Sequence, residues 1–95
     1  MNTYSALILD DEEFSVEVLI EDINWQSCGI SQVHGAYSVR QAKEFLKKNP
    51  VNILICDIEM PGENGLDLVE WAMEYARFSK DPMICIMLTC HPEYS

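Results

Sequence analysis

Three runs of the chain carry no charged residue: YSALIL at 4–9, VNILIC at 51–56 and MICIML at 83–88. Each is short, apolar at consecutive positions and bounded by polar or turn-forming residues. Such runs are expected to be strands covered on both faces, as in a parallel sheet. Longer amphipathic stretches separate them. Residues 12–26 read as a helix with two apolar stripes. Val16, Leu19, Ile20 and Ile23 form one, and Phe14, Val18 and Trp25 fall on the other. Residues 30–36 make a more polar strand, expected at a sheet edge. Ser38 with Gln41 three residues on is a capping-box pattern. It opens a helix whose buried face is Val39, Ala42, Phe45 and Leu46, and Asn49-Pro50 stops it. A loop is expected over 61–64, then a helix over 65–78 with Leu66, Val69, Ala72, Met73 and Ala76 along one side. Asp81-Pro82 ends that helix.

The predicted order is β-α-β-α-β-α-β, with no internal repeat and no linker. Strands alternating with helices imply an α/β fold with a parallel sheet and right-handed crossovers. Ninety-five residues make at most one domain. Hydrophobic residues at 48% are enough to build a core and argue against disorder.

Charge narrows the partners. Sixteen acids against six bases give a net charge of −10. Such a surface is repelled by nucleic acid and by anionic membranes, although solubility alone also accounts for it. No basic segment precedes the apolar residues 6–9, which Asp10 to Glu13 then cut short, so no signal peptide is expected. No run is long enough to span a membrane. A cytosolic chain is expected. Cys28, Cys56, Cys85 and Cys90 have no C-x-x-C spacing and are expected to be free thiols, with Cys56 and Cys85 acting as small hydrophobes.

The acids matter most where they interrupt strands. Asp10 and Asp11 follow the first strand, Asp57 the third, and Thr89 the fourth. In a parallel sheet all these ends lie on one edge, where ligands bind near the switch in strand order. Individually, Asp10 and Asp11 could cap a helix, Asp57 could merely end a strand, and Thr89 says nothing. Should the first and third strands be neighbours, three carboxylates converge. They then need a proton or a cation. Oxygen donors without clustered histidine or cysteine favour Mg2+ over zinc. A carboxylate beside that ion can attack phosphorus and form an acyl phosphate, with a hydroxyl such as Thr89 donating to a phosphoryl oxygen.

Leu7-Ile8-Leu9-Asp10-Asp11-Glu12, then Asp57-Ile58-Glu59-Met60-Pro61-Gly62 with Gly65 following, then Met87-Leu88-Thr89, resemble bacterial two-component receiver domains. The resemblance covers residues 1–95 in order. It implies a flavodoxin-like (CheY-like) doubly wound sheet of strand order 2-1-3-4, lacking the family's final helix-strand-helix. It implies that Asp57 is the phospho-acceptor and Asp11 a direct Mg2+ ligand, with Asp10 acting mainly through bound water. The backbone carbonyl of Glu59 is implied as a further ligand and Thr89 as the switch hydroxyl. Pro61 and Gly65 would shape the loop after Asp57. A sensor histidine kinase would supply the phosphoryl group, and an output domain outside this chain would respond. Trp25 with Gly29 soon after is similar to regulators with AraC-type DNA-binding outputs.

The chain departs from the family in lacking the fifth strand, its phosphate-pairing lysine and its aromatic switch. Lys80 precedes the fourth strand, at the opposite edge of the sheet, and cannot substitute. A fourth strand left as an edge invites pairing with another chain, so self-association through it is expected. A pseudo-receiver, used for protein contact without phosphotransfer, is the alternative function. A phosphatase-like hydrolase ranks below it, because position 59 is Glu where such enzymes carry a second Asp. His34 and His91 have no metal-ligand spacing. Trp71 and Tyr75 are expected to be packing or surface residues, and Met60 to tuck beneath the loop.

Overall fold

The computed structural model describes residues 4–57, 59–60, 63–77 and 83–88. Expectations for Pro61, Gly62, Lys80, Thr89, Cys90 and His91, and for the Met60 side chain, lie outside the described residues. The chain runs β1 (Tyr4–Leu9), α1 (Glu13–Asp22), a 3-10 turn (Trp25–Cys28), β2 (Ile30–Ala36), α2 (Val39–Lys48), β3 (Ile53–Asp57), the short strands β4 (Glu59–Met60) and β5 (Glu63–Asn64), α3 (Gly65–Ala76) and β6 (Ile84–Leu88).

The main sheet has the order β2-β1-β3-β6, every pair parallel. This is the 2-1-3-4 order expected from sequence, with β2 at one edge. The third and fourth strands of this sheet begin two residues and one residue later than expected, and β3 extends to include Asp57. Where a loop was expected, residues 63–64 form a short strand, and residues 59–60 form another. Glu59 pairs with Asn64 and Met60 with Glu63 in an antiparallel ladder.

One face of the sheet carries the core. Leu7, Leu9, Leu54 and Cys56 pack with Ala42 and Leu46 of α2 and Leu68, Val69 and Ala72 of α3. The α3 face differs from the predicted one. Leu66 and Met73 are exposed, whereas Leu68 is fully buried. The α2 cap forms as expected: Ser38 Oγ accepts from the Gln41 amide at 3.1 Å, and Gln41 Oε1 accepts from the Tyr37 amide at 2.8 Å. Trp71 stacks on Tyr75 with ring centroids 5.0 Å apart, and the Lys43 ammonium lies 5.4 Å from the Trp71 ring centre. This arrangement joins α2 to α3 at the surface.

Helix α1 ends four residues before the predicted boundary. Ile23 is extended, and the Asn24 side chain caps the 3-10 turn by accepting from the Ser27 amide. The Trp25 indole N–H then turns back on the Leu19 and Ile20 carbonyls, 3.2 Å from each. It thereby serves carbonyls that the helix end leaves without a partner. Ile23 and Trp25 therefore do not extend the two predicted stripes, and Phe14 is 76% exposed.

On the opposite sheet face, Val16 of α1 presses against β2. A Cβ built on Gly35 would lie 2.5 Å from Val16 Cγ1. Val16 is fully buried and has no room to give. Gly35→Ala should therefore cost about 1–3 kcal/mol in urea unfolding. Combining it with Val16→Ala should cost less than the sum of the two. Additive losses would show that this close approach is not the cause.

The same face is only half covered. Across it, Ile8 aligns with Ile55 and Ile86, and Ala6 with Ile53 and Ile84. Exposure climbs along these rows, from 1% at Ile8 to 44% at Ile86 and 61% at Ile84. Among the described residues, helix α1 shields the β2–β1 half and no helix covers β6 on this face.

Candidate metal and phosphoryl site

The β1–β3 register creates the site. Leu9 pairs with Cys56, so Asp10 and Asp57, the next residues, leave neighbouring strands at the same level. The strand pattern alone left that adjacency open, and the resemblance to receiver domains implied it. Asp10, Asp11 and Asp57 each offer a carboxylate oxygen, and these three atoms lie within 4.8 Å of one another.

Local bonds hold the cluster in place. The Asp10 amide donates to the Ala36 carbonyl at 3.1 Å, extending the β1–β2 ladder by one residue. Asp10 Oδ1 accepts from the Glu12 amide at 3.0 Å, just before α1. Glu12 is itself the N-cap residue and no side chain caps α1, so this is a turn bond ahead of the helix, and the helix-cap role considered for Asp10 is not realised. Asp10 and Asp57 are half-buried and Asp11 is exposed, so the cluster opens to solvent on one side.

Burial, chiefly, pushes the Asp10 carboxyl above its usual range. The neighbouring Asp11 and Asp57 add to the rise, while the Glu12 amide opposes it. Crowded, partly desolvated carboxylates gain from a proton or a cation. The donors are all hard oxygens, which fits a divalent ion such as Mg2+ better than a soft metal. Among the described residues no histidine joins them. His34 instead lies against Phe45, with ring centroids 4.7 Å apart.

Cys56 sits directly beneath the cluster. Burial, then the charge of Asp57, raises its thiol to about 11, so it remains a neutral S–H. Its sulfur lies 3.5 Å from the Asp57 carbonyl oxygen and 3.6 Å from that of Gly65. Sequence assigned it only as a small hydrophobe. The one available hint was its place immediately before Asp57. Cys28, Cys56 and Cys85 are free thiols, as expected.

Gly65 is buried and opens α3. Glu59 belongs to β4, two residues past Asp57. Thr89 lies outside the described residues. A separate hollow of about 360 Å3 lies between the C-terminal ends of α2 and α3, but no carboxylate, histidine or cysteine lines it. Among the described residues no helix is long and apolar enough to cross a membrane.

A 2-1-3-4 parallel sheet with three carboxylates at its C-terminal edge defines a class: a doubly wound α/β module with an acidic, cation-compatible site. Residues 6–95 match the response regulator receiver domain model, and the chain belongs to that family. It is similar to the transcriptional regulatory protein YesN of Bacillus subtilis, 33% identical over 67 residues, which are 70% of this chain and 18% of that protein. A crystal structure of a two-component transcriptional regulator, AraC, from Clostridium phytofermentans matches with a TM-score of 0.82. That match has 26% identity and covers 96% of this chain and 67% of the other. The receiver domain of AraT, a response regulator from Geobacillus stearothermophilus, matches with a TM-score of 0.75 and 31% identity over the same shares. The chain spans about a third or less of the length of the curated relatives it matches. It is a phospho-acceptor module of two-component signalling.

Proposed function

We propose that Asp57 is the phospho-acceptor, with Asp10, Asp11, Asp57 and the Glu59 carbonyl as the Mg2+ site and Thr89 as the switch hydroxyl. The supporting observation is the meeting of three carboxylate oxygens within 4.8 Å where β1 and β3 end. When bound, Mg2+ supplies positive charge that offsets the carboxylates and the incoming phosphoryl oxygens. Asp57 Oδ attacks phosphorus. The new O–P bond forms as the P–N bond of a kinase phosphohistidine breaks, and the released imidazole keeps the electron pair and takes a proton. Asp10, held by the Glu12 amide, keeps its carboxylate beside the attacking group. The Thr89 hydroxyl would donate to a phosphoryl oxygen and carry the change toward an output domain, of DNA-binding type, outside this chain. The module would work in the cytoplasm beside its sensor kinase.

Incubation with Mg2+ and a small acyl phosphate should add about 80 Da, the mass of one phosphoryl group, as read by intact mass. EDTA should prevent the addition. A chain that gains no mass at any donor concentration would instead be a protein-contact module.

The β6 edge supports a second copy as a further partner of the described fold. Residues 84–88 carry no charge, so this is a surface where two chains of net charge −10 can approach without like-charge contact. Light scattering that returns a monomer mass at high micromolar concentration would count against it.

A further inference from the structure

We propose that Cys56 is a positioning residue for the cation site. Its thiol ties the start of α3 to the base of Asp57 and so holds both ends of the segment that carries Glu59. The inference rests on the proposed function above.

Cys56 is fully buried on the sheet face that packs against α2 and α3. Its side chain therefore points away from solvent and has no route to act as a nucleophile. What it offers is one S–H, a weak donor, and two carbonyls stand within its reach. The Asp57 carbonyl lies 3.5 Å away and the Gly65 carbonyl 3.6 Å. One hydrogen serves both by sharing or by alternation.

The two carbonyls mark the ends of the segment between β3 and α3. Asp57 is the last residue of β3, and Gly65 is the first of α3. Between them lies the β4–β5 ladder with Glu59. A tie between the two ends closes this segment into a loop and so restricts the orientations open to its backbone, the Glu59 carbonyl included. Preorganised ligands bind an ion more tightly than ligands ordered on binding. A valine here would fill the volume without a donor. A serine would keep a donor with less bulk.

The test compares wild type, Cys56→Val, Cys56→Ala and Cys56→Ser. Calorimetric titration with MgCl2 should show affinity about fivefold weaker in the valine and alanine variants, the scale of one modest hydrogen bond. The serine variant should stay within about twofold of wild type, since a hydroxyl is the stronger donor. A readout independent of the ion is amide hydrogen exchange at Leu68 and Val69, referenced to α2. It should quicken in Cys56→Val and Cys56→Ala but not in Cys56→Ser. Filling a cavity would give the opposite ranking, with valine close to wild type and serine impaired. That ranking, or exchange unchanged in every variant, would overturn the proposal. Wild type that binds no Mg2+ would sink the proposed function instead, while the exchange data still decide the role of Cys56.

Discussion

Replacing Asp57 with asparagine should abolish the phosphoryl adduct completely and leave the chain folded. The amide oxygen lacks the negative charge that makes a carboxylate a nucleophile toward phosphorus. Its loss also removes one of the three oxygens that meet within 4.8 Å, so the ion site weakens at the same time. Folding should not suffer. Asp57 is half-buried, its backbone stays paired with Leu88, and the substitution changes little volume. It also removes a negative charge that bears on Asp10. The melting temperature of the ion-free variant should therefore match or exceed that of wild type. Intact mass and a thermal melt on the same samples make the check. An undiminished adduct in Asp57→Asn would place the nucleophile on another residue.

The second large effect links Mg2+, protons and stability. Asp10 titrates above its ordinary value of 3.8 in the folded chain, mainly through burial and then its acidic neighbours. The folded state thus holds this proton more tightly than the unfolded state does. Stability from this group falls as pH rises from 3.8 through the raised value, and the penalty is complete above it. The ion acts in the other direction. Binding only to the folded chain, it adds stability that grows with the logarithm of its concentration, about 2.7 kcal/mol at a hundredfold excess over Kd. The rise in melting temperature with MgCl2 should be larger at pH 8 than in acid, where a proton on Asp10 competes with the ion. Asp10→Asn should raise the ion-free melting temperature at pH 8 and cancel most of the Mg2+ effect. It keeps an oxygen to accept from the Glu12 amide, so the turn ahead of α1 survives. Equal Mg2+ shifts in wild type and Asp10→Asn would remove Asp10 from the site.

The strands were legible because a parallel strand buried on both faces must be apolar at successive positions, as residues 4–9 and 51–56 are. The carboxylates stood out because they end those runs. The register was not legible. Only the pairing of Leu9 with Cys56 brings Asp10 level with Asp57. The end of α1 escaped because Ile23 and Trp25 continue an apolar helical period. A side-chain cap at Asn24 and a returning indole, which leave no periodic trace, outweigh it. The buried face of α3 escaped for a related reason. Leu66, Leu68, Val69, Ala72 and Met73 wrap much of the helix, and packing selects Leu68 over Leu66. Cys56 hid its hydrogen bonds behind a residue type that usually just fills space.

The exposed isoleucines of β6, Ile84 and Ile86, set how the protein behaves as a colloid. At neutral pH the charge of −10 holds molecules apart, however greasy this strip is. Near the isoelectric point of about 4.3 that barrier disappears, and the strip becomes the first adhesive surface two molecules meet. Acid precipitation by this route would need no unfolding. A lysine in place of Ile84, fully charged at that pH, should reduce the precipitation.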